Sequence, residues 1–244
     1  MDIVAIDPSL VCTALVINDK KFVYTGTHIS HTEKGKMKRW FQEVNDIVTI
    51  RSFDLSVDGS LAYTEQENAK LSKYVKIVDC IIDDILFECA DHTTARVAIE
   101  GYSYSSAAGP LIDLVTFGSI LRYRLLLSGV AKPIIVPPQE LKTKAASLSY
   151  PAIKKGKVTK YVNADGKSAG SFKKRDMLQC LVDVPNSSAD SWIERLREYK
   201  DELLNLKATP KPIEDVNDAK LLQYPLVYSI QMCWLFGFFF ESLL

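Results

Sequence analysis

Four apolar residues, Ile3-Val4-Ala5-Ile6, run straight into Asp7, and Pro8 ends the run. A short apolar stretch closed by a turn signal predicts a buried strand, with Asp7 at its rim. Val11 to Ile17 is rich in β-branched residues, Asn18-Asp19 follows as a turn, and Phe22 to Ile29 is again β-prone, which together predict an antiparallel meander. Lys34 to Ile50 starts with helical spacing and loses it in Arg51 to Asp58. From Glu67 to Ala90 the period changes: Leu71, Tyr74, Val75, Val78, Ile81, Ile82, Ile85 and Leu86 recur at three- and four-residue steps, the stripe of a long helix. Arg96 to Glu100 then repeats the opening pattern, with Val97-Ala98-Ile99 ending in Glu100 and released by Gly101. A second helix is predicted from Pro110 to Ser128, through Leu111, Leu114, Val115, Gly118, Leu121 and Leu125. A last strand, Pro133 to Val136, is closed by Pro137-Pro138.

Helix-separated strands pair in parallel through right-handed crossovers. Joined to the meander, they predict an α/β fold: a mixed five-stranded sheet flanked by helices, in the ribonuclease H-like layout. The 244 residues are expected to form a single domain, with a basic insertion at about 151–175 and a hydrophobic tail at 225–244. At 47% hydrophobic and 25% charged the composition is that of an ordinary globular protein. Thirty basic and thirty acidic side chains cancel, so no whole-molecule field draws in nucleic acid or membrane, and any such attraction must be local.

The five cysteines form no CxxC pair and no zinc spacing, and are expected to be reduced, as in the cytoplasm. His28, His31 and His92 give little support to an imidazole metal site or a Ser-His-Asp triad. No basic segment precedes an apolar core at the N-terminus, so a secretory signal is not expected. The run from Pro225 to Leu244 nears the length of a membrane span, but Gln231, Gly237 and Glu241 interrupt it, and a buried terminal element is the expectation.

Charge is gathered in one place. Pro151 to Arg175 holds Lys154, Lys155, Lys157, Lys160, Lys167, Lys173, Lys174 and Arg175 against the single acid Asp165, with three glycines, and reads as a mobile basic arm that meets phosphates rather than a mere solvated linker. A charged amphipathic helix over Asp190 to Lys207 and a stiff Thr209-Pro210-Lys211-Pro212 linker lead to a helix entered at Ile213 and limited by Pro225. Its Asp215 and Asp218, three apart, share one face. Acids in a first turn also suit the helix dipole, so capping is the plain alternative for this pair. If the helix packs across the ends of the first and fourth strands, Asp7, Glu100, Asp215 and Asp218 meet. Four carboxylates in one place repel and need a counter-charge. Mg2+ fits, being hard and oxygen-seeking, with Mn2+ as a substitute. Two such ions about 3.5–4 Å apart serve both the attacking and the leaving oxygen of a phosphodiester.

The ordered set IDPS, AIEGYSY, VPPQELK, KRDM and DVNDA resembles the RuvC family of Holliday junction resolvases, its phage-encoded branch most, from residue 1 to about 224 with gaps at Arg51 to Glu67 and Pro151 to Phe172. The resemblance implies a homodimeric, magnesium-dependent endonuclease that nicks four-way DNA junctions symmetrically, in the cytoplasm or in that of a host cell. By position it implies Asp7, Glu100, Asp215 and Asp218 as metal-binding catalytic acids and Lys174 beside the scissile phosphate. Lys142 is a second basic candidate, and Tyr102 or Tyr104 would stack at the junction, unless either only packs at the rim. Lys154, Lys155, Lys157, Lys173 and Arg175 would bind DNA, and the helix from Pro110 to Ser128 would carry the dimer contact.

Three features depart from that pattern: no glycine follows Asp7 until Gly26, the basic segment is long, and the Trp234 to Phe240 tail has no counterpart. Two other readings share these residues, a non-catalytic branched-DNA-binding protein and a less selective flap or branch nuclease. A sugar-kinase or actin-like ATPase would need glycine-rich phosphate turns, which Asp7-Pro8-Ser9 and Glu100-Gly101-Tyr102 lack.

Overall fold

The computed structural model describes residues 1–30, 36–102, 108–130, 132–155, 158–163, 165–184 and 190–236. In chain order they form β1 (Ile3–Asp7), β2 (Cys12–Ile17), β3 (Lys20–Gly26), α1 (Thr27–Ser30), α2 (Lys36–Glu43), β4 (Thr49–Phe53), α3 (Tyr63–Glu88) and β5 (Arg96–Glu100). Then come α4 (Ala108–Leu127), β6 (Ile134–Val136), α5 (Pro138–Ser149), β7 (Ala152–Lys155), β8 (Val158–Tyr161), α6 (Lys174–Val182), α7 (Ser191–Glu198), α8 (Lys200–Asn205) and α9 (Ile213–Phe236).

The main sheet has the order β4-β3-β2-β1-β5-β6. β1, β2 and β3 are an antiparallel meander, while β5 pairs parallel to β1 and β6 parallel to β5. That five-strand core, with its helices on both faces, is the ribonuclease H-like arrangement. The turn between β2 and β3 places Asn18 at φ 51°, a left-handed position that asparagine tolerates. Asn18 Oδ1 also accepts the Ile3 N–H at 3.0 Å, tying the turn to the first strand.

Alternation along the strands sorts the core into two layers. Val4, Ile6, Leu15, Ile17, Val97 and Ile99 pack against α3 and α4 through Val78, Ile81, Ile85, Phe117, Leu121 and Leu125. The opposite face carries smaller residues, Ala5, Ala14 and Ala98, and packs against α9 through Val216, Ala219 and Leu222. Asp7 follows Ala5 and Glu100 follows Ala98 by two residues, so both acids belong to the α9 side.

Three polar locks fix where α9 lies. Trp192 Nε1 donates to Asn217 Oδ1 at 2.8 Å, Lys220 Nζ meets Asp190 Oδ2 at 2.7 Å, and Gln223 Nε2 donates to Asn18 O at 3.0 Å. All three α9 residues are buried.

The structure corrects several expectations. The sheet has six strands rather than five, because β4 adds to β3 in parallel at the edge. Arg51 on β4 and Tyr24 on β3 both bond to Asp84 of α3, which holds the added strand in place. β3 ends at Gly26 rather than Ile29, and the helix expected to start at Lys34 ends as α2 at Glu43, residues 31–35 lying outside the described residues. The long helix begins at Tyr63 rather than Glu67, and Leu71 and Leu86 of its stripe are exposed. The basic segment is not a structureless arm: β7 and β8 pair as an antiparallel hairpin, and a short turn over Ala169–Ser171 leads to α6. Asp190 to Lys207 is two helices, with Asp190 capping the first through Trp192 N–H at 2.9 Å. Pro225 does not limit the last helix, which continues to Phe236; residues 237–244 of the tail lie outside the described residues. Among the described residues no helix is long and apolar enough to cross a membrane.

Candidate active site

Three segments far apart in sequence each deliver one carboxylate to the same place. Asp7 ends β1, Glu100 ends the neighbouring parallel β5, and Asp218 lies on α9 above them; one oxygen from each lies within 4.8 Å of the others. Asp218 is 1% exposed and Asp7 8%, while Glu100 is half-buried. Asp7 and Glu100 face a cleft of about 250 Å³ also lined by Tyr102, Lys142 of α5, and Lys174 and Met177 of α6.

Asp215, also expected at the metal, is held differently. Its Oδ1 accepts from Lys211 Nζ, and it is not one of the three acids that converge. Its Oδ2 is buried without a hydrogen-bond partner. Asp218 Oδ2 accepts from Lys174 Nζ. Glu214 lies between these pairs, 3.8 Å from each lysine nitrogen.

Burial and mutual repulsion dominate the electrostatics. Burial, followed by Asp7 and Asp218, pushes Glu100 well above the ordinary carboxylate range, against the pull of Lys174. Burial lifts Asp218 to about 7 although Lys174 opposes it, and Asp7 adds to the rise. Asp215 also rises to about 7, from burial first, with Lys211 opposing and Asp7 reinforcing. Burial works against the Lys174 and Lys211 ammonium groups, but their acid neighbours outweigh it and hold both above the usual lysine value. Crowded oxygen donors with too few cations are the donor set of a hard divalent ion. The buried, unpartnered Asp215 oxygen also shows that the two lysines do not satisfy the acids fully.

Tyr102 is held in a defined seat. Arg122 Nη2 donates to its hydroxyl at 2.9 Å, and the guanidinium carbon lies 5.4 Å from the ring centroid. The ring packs on Gly118 of α4, where a Cβ would come within 2.2 Å of the tyrosine oxygen, so only glycine leaves room.

The other expected contacts are spread out. Lys173 and Arg175 turn away from the acids, lining a second cavity of about 430 Å³ with Asn163, Lys167 and Asp176. Lys154 is exposed on β7 and Lys155 is the last residue of that strand, while Lys157 and Tyr104 lie outside the described residues. Lys211, Glu214 and Arg122 were not singled out in the sequence. The one available signal was the i,i+4 spacing of Lys211 and Asp215, which marks an ion pair on a helix but crosses here from the linker into α9.

No protein-family model and no curated protein matches the chain. Among solved structures, Thermus thermophilus RuvC in complex with Holliday junction substrate aligns at 11% identity with a TM-score of 0.43, covering 95% of this chain and 96% of that one. A second Thermus thermophilus RuvC structure aligns over the same shares at 11% identity and a TM-score of 0.40.

Proposed function

We propose that the chain is a single nuclease domain that hydrolyses phosphodiesters of four-way or branched DNA with a divalent cation, Mg2+ in the cell. The observation that carries this reading is the meeting of Asp7, Glu100 and Asp218 at a cleft that also holds Lys142, Lys174 and Tyr102.

Asp7, Glu100 and Asp218 would hold the ion. When bound, it supplies a Lewis acid for a phosphoryl oxygen and a means of activating water at neutral pH. Lys142 and Lys174 present ammonium groups to a phosphate in the cleft, where a partly dry environment strengthens each contact. Tyr102 offers a ring face to an unstacked base beside the cut, and Arg122 with Gly118 fixes its orientation. Base stacking of this kind is worth about 1–3 kcal/mol per base. Lys154 and Lys155 of β7, together with Lys157, Lys173 and Arg175, bind the backbone of the DNA arms.

Two matched cuts call for two subunits about a twofold axis. Ile112, Tyr123, Leu126 and Leu127 of α4 are each more than half exposed and form the surface on which two copies pair. Sedimentation of a dimer at micromolar concentration, reduced to monomer by Leu126→Asp, supports that pairing; a wild-type monomer with and without junction DNA removes it.

Incubation with labelled four-way, three-way and linear duplexes, with and without Mg2+, tests the activity. Paired nicks in the four-way substrate that need Mg2+ are expected. Binding without cutting would make the protein a branched-DNA-binding module, and equal cutting of three-way and flap substrates a less selective nuclease.

A further inference from the structure

The two lysines are placed as resident cations, and they are not equivalent. Lys174 approaches Asp218 from the cleft, where its side chain is 43% exposed and has room to move to another anion. Lys211 approaches Asp215 from the linker before α9, with its side chain only 21% exposed, and Pro210 and Pro212 on either side restrict that backbone. Asp7, Glu100, Asp215 and Asp218, with Glu214 3.8 Å from each lysine nitrogen, outnumber these two ammonium groups and leave room for a further cation. The oxygens that converge are those of Asp7, Glu100 and Asp218, which gives that ion one place to go. Asp215 has one oxygen on Lys211 and the other buried without a partner, so it is oriented by the lysine and not by the other acids.

We propose that Lys211 takes the place of a second divalent ion at Asp215, so that the resting protein binds one ion, at Asp7, Glu100 and Asp218. This rests on the metal-centre reading above and deepens it. Lys211 is here a positioning residue: it neutralises Asp215 and thereby limits how many ions the site admits. A second ion must displace Lys211, which is mostly buried and tethered by the linker, whereas the first displaces only Lys174, which lies on the cleft and can move to another anion.

Titration with Mn2+, followed by calorimetry and by electron paramagnetic resonance of the bound ion, reads occupancy without any assay of cutting. Wild-type protein is expected to bind one ion without Mn–Mn coupling. Asp215→Asn, nearly isosteric and able to keep a hydrogen bond to Lys211, is expected to keep that ion with its dissociation constant changed less than about tenfold. Asp218→Asn is expected to lose more than the roughly tenfold that an outer-shell partner costs. Lys211→Met is expected to raise the count to two and to introduce Mn–Mn coupling. Two ions in the wild type, one ion in folded Lys211→Met, or an Asp215→Asn loss as large as that of Asp218→Asn would each overturn the proposal. If Lys211→Met does not fold, the comparison of the two aspartate variants decides. No Mn2+ binding by the wild type would instead remove the metal-centre reading itself.

Discussion

At the scale of single residues, Asp215 and Asp218 are the informative pair. Both are 1% exposed, and burial lifts both from an ordinary value of 3.8 to about 7. A carboxyl group whose pKa is higher in the folded state binds its proton more tightly there, so the metal-free fold loses stability as pH rises from about 4 through 7. The slope approaches about 1.4 kcal/mol per pH unit for each proton involved. Melting of chelator-treated protein should therefore fall between pH 5 and pH 7.5, and Mg2+ should restore it at the higher pH but hardly change it at the lower. A flat profile would mean that the acids are satisfied by their lysines alone. The sequence marked both aspartates through their spacing, but spacing cannot say which of two residues on one helix face meets a sheet and which meets a lysine. That was decided by Lys211, which enters from outside the helix. The Arg122 to Tyr102 contact was invisible for a similar reason: twenty residues and a strand-to-helix connection separate the partners.

At the scale of elements, the strands that carry the site were the easiest to read. β1 and β5 are apolar runs buried on both faces and stopped by an acid, so their pattern is continuous and their ends are marked. β4 was missed because Thr49–Phe53 is a half-exposed edge strand with no such pattern, and its hold on α3 comes from an ion pair that only tertiary structure creates. The β7–β8 hairpin was missed because its lysines resemble a solvated loop. The last helix was ended at Pro225 because a proline removes one helical hydrogen bond, yet α9 runs through it to Phe236. The placement of α9 depends on its polar locks. Asn217→Leu leaves the indole N–H of fully buried Trp192 without a partner, and should cost about 1–3 kcal/mol in chemical denaturation. A change below 0.5 kcal/mol, a lower limit set by about the net worth of one hydrogen bond, would mean the lock does not hold the helix.

At the scale of the whole molecule, a chain with no net charge gathers eight basic residues between Pro151 and Arg175, while Asp7, Glu100 and Asp218 converge where the ends of β1 and β5 meet α9. DNA binding should be steeply salt-dependent, since each phosphate contact contributes about 0.9 to the slope of log affinity against log salt. Replacing Lys154, Lys155 and Lys157 by alanine should lower that slope by up to about three; an unchanged slope would take the segment out of the interface. The central claim is narrower than DNA recognition: the acids that end β1 and β5 and the one on α9 form a divalent-cation site. Anomalous diffraction from crystals soaked in Mn2+ tests it most directly. The account predicts a strong peak coordinated by Asp7, Glu100 and Asp218, absent in Asp218→Asn. A saturating soak with no density among those three side chains would contradict it.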